Sequence, residues 1–233
     1  MAKIERDCFS CKVRGPDCFC GFKVEALTDL QRIGRSMHVP AGQVLFREGF
    51  KSEGVYILCG GVVKLTISSA EGRLLILRLA WPGDVLGLVS ALRDTSYEVT
   101  AETLEPTDVK TVNCADFHSF LETFNEASRH AALAAAMQYE SALLSARLLA
   151  LSNSAAGKLA NALLLWTKLR SGSREAPISF RMPLTHEELG NMAGISRETV
   201  TRLLSQFRQE GLVEQQGQHF TLPRPDKMEM LYC

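Results

Sequence analysis

Four thiols fall within the thirteen residues CFSCKVRGPDCFC, Cys8 to Cys20, at the spacing C-x2-C-x6-C-x-C. The chain has only three more cysteines, Cys59, Cys114 and Cys233. Thiolates this dense can bind a metal ion or cluster, or pair reversibly as disulfides. The C-x2-C step is a common zinc half-site, and the stretch RGPD (14–17) contains the glycine and proline that let a loop fold around a metal centre. Lys12, Arg14 and Lys23 would offset the negative charge of such a site. A tail with incidental cysteines is the plain alternative. Cys59 sits in a strand-like run and reads as a buried small hydrophobe, and Cys233 is terminal. The five histidines, His38, His118, His130, His186 and His219, show no metal-ligand spacing.

The start MAKIERD is polar, with no apolar core of a secretory signal. The apolar-rich stretch 131–151 is broken by Glu140 and Arg147, too interrupted for a membrane span. A cytoplasmic protein is therefore expected, and in a reducing compartment clustered cysteines point to metal or redox chemistry. The net charge of zero gives no global attraction to nucleic acid or membrane, although basic residues on one surface would suffice. No nucleophile–base pair, Gly-Lys-Thr/Ser phosphate loop or Gly-framed carboxylate pair is present, so the chain is expected not to be an enzyme.

A second set of chemically capable residues lies in LTHEELGNMAGISRETVTRLLSQFRQEGLV (184–213). Thr185 and Glu188 have the T-x-x-E spacing of a capping box, which starts a helix. Gly194 ends it, Ser196 caps a second helix from Arg197 to about Glu210, and Val200, Leu203, Leu204 and Phe207 give that helix a buried face. Two helices joined by so short a turn are a helix-turn-helix. Arg197, Glu198, Thr201 and Arg202 fall on the exposed face near the end that enters a major groove. Arginine can pair with guanine and glutamate with cytosine; Ser196 stands beside them at the cap. Ser205, Gln206 and Arg208 could reach phosphates. The run GLVEQQGQHFTLPR (211–224) reads as a hairpin, a plausible wing.

The elements that must position these two sets are of different kinds. Residues 37–113 hold short apolar runs punctuated by glycine, QVLF (43–46), GVYILC (54–59), VVKLTI (62–67) and LLILRLA (74–80), which imply an antiparallel barrel or sandwich. From 115 to 151 neither glycine nor proline occurs, and Phe117, Phe120, Leu121 and Phe124 have helical spacing. Met137, Leu144 and Leu151 recur every seven residues, with Leu133 and Leu148 beside them, a seam that a twin helix from a second copy would bury. Residues 152–168 form a further helix, and RSGSREAP (170–177) a loop. The fold class is α+β: a cysteine-rich segment (1–22), an antiparallel β-barrel sensory domain (23–115), a dimerisation helix region (116–151) and a winged helix-turn-helix (152–233).

This order, with GISRETVTRLL and the WPGDVLGL turn (81–88), resembles the CRP/FNR family of bacterial transcription regulators over nearly the whole chain. The resemblance implies a cyclic-nucleotide-binding-type barrel and a homodimer that binds a near-palindromic TGTGA- or TTGAT-type site in double-stranded DNA and contacts RNA polymerase. It makes Arg197, Glu198 and Arg202 the base readers. Cyclic-nucleotide-binding members carry Gly-Glu-Leu after the turn and an Arg-Ser or Arg-Thr pair about ten residues later. Here Leu88 replaces the glutamate, and Arg93 comes too early to serve as the arginine. Cyclic AMP is disfavoured, because a buried phosphate without a cation is costly. The oxygen-sensing branch holds a [4Fe–4S] cluster on three N-terminal cysteines near C-x2-C-x5-C and a fourth in the barrel. Cys8, Cys11 and Cys18 nearly match, and the fourth ligand is either Cys20 or the displaced Cys114. Zinc and a thiol–disulfide switch remain alternative uses of the same thiols.

Overall fold

In this computed structural model, which describes residues 7–16, 18–152, 154–170 and 177–232, the cysteine segment leads directly into a helix, α1 (Val24–Ile33). Ala26, Leu27 and Leu30 recur on one face of it and are buried. Eight strands follow: β1 (Arg35–Val39), β2 (Val44–Phe46), β3 (Gly54–Gly60), β4 (Val63–Ser68), β5 (Leu74–Ala80), β6 (Val85–Leu86), β7 (Thr100–Thr103) and β8 (Thr107–Asn113). The short helix α2 (Leu88–Arg93) lies between β6 and β7.

The expected barrel is not closed. The strands form two four-stranded sheets, in the orders β1-β8-β3-β6 and β2-β7-β4-β5, and the pairs of defined register run antiparallel. Closure would need long ladders at the seams, but β2 has three residues and β6 two. Register shifts at Val44/Phe46 and Leu58/Gly60 interrupt two of the ladders further. The four apolar runs read from the sequence all form strands. Alternation along β3 divides its side chains: Leu58 joins the core shared by both sheets, with Phe46, Val63 and Ala101, whereas Val55 and Ile57 join a second core.

That second core brings the helices onto the sheet. Helix α3 (Cys114–Thr123) starts at Asn113, whose side chain accepts from the Asp116 amide at 2.9 Å. Phe117 and Phe120 project from it into the core, together with Leu27 and Leu30 of α1 and Leu88 of α2. After one residue the chain enters the long helix α4 (Asn125–Leu151), whose Ala127 and Ala131 close the same core. Further along α4 large apolar side chains face solvent: Leu133 is 51% exposed, Met137 57% and Leu151 67%. Leu144 is half-buried, and the side chain of Leu148 lies outside the described residues.

Two compact units divide within α4, between Ala142 and Leu143. The second contains α5 (Ala155–Arg170), β9 (Ile178–Arg181), α6 (His186–Ala193), α7 (Arg197–Gln209), β10 (Glu214–Gln216), β11 (His219–Leu222) and α8 (Pro225–Tyr232). The expected hairpin is β10–β11, turning at Gly217, and β9 adds a third strand by pairing with β11. The expected loop at 170–177 lies almost wholly outside the described residues, as does Cys233. Among the described residues no helix is long and apolar enough to cross a membrane.

Phe120 is 1% exposed, and its ring centroid lies 5.4 Å from that of Phe22. Phe120→Ala is expected to lower the unfolding free energy of the first unit by about 3–5 kcal/mol, measured by urea denaturation.

Candidate functional site

The first site is built on α6 and α7. Both halves of the capping box are made: the Glu188 amide donates to the Thr185 hydroxyl (3.2 Å), and the Thr185 amide donates to the Glu188 carboxylate (3.0 Å). Gly194 adopts the left-handed conformation (φ 65°) that ends α6, and Ser196 accepts from the Thr199 amide (3.2 Å) to start α7. Val200, Leu203, Leu204 and Phe207 are buried. The opposite face leaves Arg197, Glu198, Thr201 and Arg202 exposed around a shallow depression that continues to Ser205, Gln206 and Gln209. The structure thus brings the predicted base readers together on one surface, with Ser196 at its edge.

Local bonds refine their roles. The Glu198 carboxylate is held below its ordinary range, first by its own backbone amide, then by the Ser196 hydroxyl and the charge of Arg197. It is ionised at neutral pH and can only accept, as a cytosine amine requires. The Thr201 hydroxyl donates to the Arg197 carbonyl (3.1 Å), so a lone pair is left to accept from His186 Nδ1 (2.9 Å). Thr201 therefore ties α7 to the start of α6. Gln206, read from the sequence as a phosphate contact, donates to Glu210 (2.9 Å) and to the Tyr232 hydroxyl (3.0 Å), and Tyr232 donates to Glu210 (2.7 Å). This network docks α8 on α7. No residue spacing announced it, because Gln206 and Tyr232 are 26 positions apart.

The second site is the cysteine segment, and it is anchored. Phe19 and Phe22 are 4% and 2% exposed, packed edge-on to each other at 5.4 Å and against Phe117 and Phe120. The Phe19 amide donates to the Gly83 carbonyl (2.9 Å), and its carbonyl accepts from His130 Nδ1 (3.0 Å). The Lys23 amide points at the Glu126 carboxylate (3.3 Å). Both His130 and Glu126 belong to α4, so the segment bridges the turn at Gly83 and the long helix. The Cys8 backbone amide donates to Gln31 Oε1 (3.0 Å), and the Cys18 thiol donates to the Val13 carbonyl (3.2 Å).

Burial pushes the Cys20 thiol up to about 12, and the neighbouring thiols Cys18, Cys59, Cys11 and Cys8 push it the same way, in that order. In the metal-free protein Cys20 is thus a neutral thiol at physiological pH, and binding a cation there would release its proton. The four N-terminal cysteines are neighbours, but not a preformed cage. Among the described residues no three Cys, His, Asp or Glu side chains stand close enough to hold a metal ion. Cys114 lies at the first residue of α3 with its thiol donating to the Ser52 carbonyl (3.6 Å).

The space between the two sheets is filled by rings. Tyr97 stacks on Phe46 (4.1 Å) and bonds to the Gly54 carbonyl and the Glu53 amide, both at 3.1 Å. Tyr56 lies 5.3 Å from Phe46, and burial, then Tyr97 and Glu53, raise its phenol to about 12. Leu88 is fully buried, and Arg93, on the last turn of α2, is exposed.

Two family models match. Residues 36–124 match the cyclic nucleotide-binding domain, and residues 157–231 the Crp-like helix-turn-helix domain. The transcriptional activator protein FnrA of Stutzerimonas stutzeri is 28% identical over 83% of this chain and 78% of its own. The cyclic AMP receptor protein of Thermus thermophilus is 29% identical over 75% and 77%. The structure of FixK2 from Bradyrhizobium japonicum superposes with a TM-score of 0.74 at 23% identity, covering 86% of this chain and 98% of that one.

Arg202 is exposed and outside the core, so Arg202→Ala is expected to leave the fold intact. It should weaken binding to the specific site by about 1–3 kcal/mol per half-site, while binding to random DNA changes little. Fluorescence anisotropy with both DNAs checks this.

Proposed function

Because this chain belongs to the CRP/FNR family of DNA-binding transcription regulators, we propose that it acts as a homodimer whose hold on DNA is set by the redox state of an N-terminal iron–sulfur cluster. The target is a near-palindromic site of the TGTGA or TTGAT kind, with one α7 helix in each half-site, and the bound dimer contacts RNA polymerase. A two-fold dimer places equivalent recognition helices one turn of DNA apart, which is why the site is a palindrome.

The observation that carries the gating is the double attachment of the cysteine segment. Its backbone bonds to Gly83 on one side and to His130 on the other, and the Lys23 amide faces Glu126. His130 and Glu126 lie on the helix whose exposed Leu133, Met137 and Leu151 suit a twin. A change that moves the segment therefore acts on the element that pairs. A cofactor that binds the pairing-competent state better shifts the population toward it.

Cys8, Cys11, Cys18 and Cys20 supply the thiolates, with Cys114 the alternative fourth ligand. The chemistry of the donor set fits, since all four are thiols, and none of the four lies in a helix or strand, so no ladder opposes the rearrangement that would bring them together. Gly83, whose Cβ would stand 2.5 Å from the Cys18 sulfur, leaves the space that thiol occupies. When bound, a [4Fe–4S] cluster supplies sensitivity to oxygen or nitric oxide. Lys12, Arg14 and Lys23 offset the negative charge of the thiolates. The interior between the sheets argues against cyclic AMP, since Phe46 and Tyr97 stack there and Leu88 replaces the glutamate. Zinc or a disulfide switch on the same thiols is the second reading, favoured by the C-x2-C pair.

Purification under anaerobic conditions, followed by a visible spectrum and iron, sulfide and zinc analysis, tests the reading. A brown absorbance that bleaches in air, with iron and sulfide in equal amounts, is expected; a colourless zinc protein would replace it with the second reading. Cys11→Ser is expected to abolish the oxidant response of DNA binding while leaving far-UV circular dichroism unchanged. Met137 is 57% exposed, so Met137→Glu costs the isolated chain little. That change is expected to shift the protein from dimer to monomer in analytical ultracentrifugation, and with it to lose binding to the palindrome.

A further inference from the structure

We propose that Cys59, at the end of β3, is the sensory-domain thiol that joins the N-terminal cysteines in one site, the position for which Cys114 was the sequence-based candidate. This rests on the reading of the N-terminal segment as a metal- or redox-active thiol site.

The backbone places Cys59 there through a short chain of hydrogen bonds. The Phe19 amide, between Cys18 and Cys20, donates to the Gly83 carbonyl (2.9 Å). The Gly83 amide donates to the Leu58 carbonyl (2.8 Å), and the Leu58 amide donates to the Asp84 carbonyl (2.9 Å). The Cys18–Cys20 stretch is thus laid on the 83–84 turn, which is itself laid on the Leu58–Cys59 end of β3. Gly83 is the spacer. Its φ of 101° is costly for any side chain, and a Cβ there would meet the Cys18 sulfur at 2.5 Å and its Cβ at 3.2 Å. Only a glycine lets the segment's thiols approach the sheet at this point.

The strand then directs the thiol. Along β3, Leu58 enters the core between the sheets, while Val55 and Ile57 face the core on which Phe19, Cys8 and Cys20 pack. The register shift between Leu58 and Gly60 falls at Cys59, the residue between them. Bulges re-aim a side chain and recur beside functional sites. Cys59 is half-buried, and its thiol donates to the carbonyl of Ile57 (3.7 Å), the strand neighbour that faces the core on which Cys20 packs. Cys114, by contrast, heads α3 and faces Ser52.

The consequence is mechanical. A site made only of Cys8 to Cys20 would close the segment on itself. With Cys59 as a member, occupancy ties the segment covalently to the sheet β1-β8-β3-β6, and loss of occupancy leaves it held by its aromatic anchors and hydrogen bonds alone.

Two measurements on the full-length protein test this. In the first, wild type, Cys59→Ser, Cys59→Ala and Cys114→Ser are reconstituted anaerobically with ferrous iron, sulfide and a thiol reductant, with far-UV circular dichroism as the folding control. Loss of most iron and sulfide from folded Cys59 variants, with wild-type content in Cys114→Ser, is expected. Full content in the Cys59 variants with loss in Cys114→Ser would overturn the proposal. In the second, metal-free wild type is treated with the azo oxidant diamide and its disulfides are mapped by mass spectrometry. Two thiols form one disulfide, and their two electrons and two protons reduce the azo bond to a hydrazine. A bond from Cys59 to Cys18 or Cys20 is expected; an unlinked Cys59, beside disulfides formed elsewhere, would overturn the placement. If wild type takes up no iron, the cluster reading fails by itself, and the disulfide map alone decides whether Cys59 belongs to the site.

Discussion

Burial of Phe19 and Phe22 against Phe117 and Phe120 holds the cysteine segment to the sensory domain, and the environments of Cys18 and Cys20 follow from where those two rings sit. The described residues between Cys8 and Cys20 include turns and bends but no helix or strand. Backbone pairing alone would leave it loosely held. Each buried phenylalanine contributes about 1.5–3 kcal/mol, enough together to offset the ordering of a few residues. With Phe19 fixed, its two cysteine neighbours are fixed as well: Cys18 against Gly83, Cys20 in an apolar pocket where its thiol stays neutral. The segment is an integral part of the first unit, and any chemistry at its sulfurs has a rigid body to act on.

Helix α4 is what makes that anchoring consequential. Its first turns complete the core that receives Phe19 and Phe22, and they carry the His130 and Glu126 partners of the segment's backbone. Its middle turns expose Leu133 and Met137, and its last residue Leu151. One continuous hydrogen-bonded helix therefore carries both the contact to the thiol segment and the surface suited to a second copy. Such an element needs no chain of intermediates to couple the two, only a differential affinity of the segment for one of its positions.

The DNA-reading surface solves a different problem. The chain has no net charge, so affinity for a polyanion must come from local arrangement. Arg197 and Arg202 supply it from one exposed face, and between them Ser196 and the start of α7 hold Glu198 ionised and in place as an acceptor. The His186–Thr201 bond joins α6 to α7, and the Gln206–Glu210–Tyr232 network joins α7 to α8. Side chains that the sequence offers as phosphate contacts are thus partly spent on holding the reading helix still, which gives the remaining ones a defined geometry.

What could be read from the sequence were the features set by near neighbours. The capping box at Thr185 and Glu188, the left-handed Gly194, the Ser196 cap and the apolar spacing of α7 are local. They depend on residues three or four positions apart, and they form as expected. The four strand-like runs also form strands, since their composition and glycine breaks are local. The sequence did not reveal that the strands form two open sheets, that β9 extends the wing, or that Gln206 and Thr201 are already engaged. These rest on pairings between distant residues. The thiols show the limit most clearly. Spacing alone presented Cys8, Cys11, Cys18 and Cys20 as a group and Cys59 as a core residue. The tertiary structure laid the Cys18–Cys20 stretch on the turn that bonds to Leu58, the neighbour of Cys59, because the contacts that do so run from Phe19 to Gly83 to Leu58 through backbone amides and carbonyls, which every residue carries and no sequence pattern distinguishes.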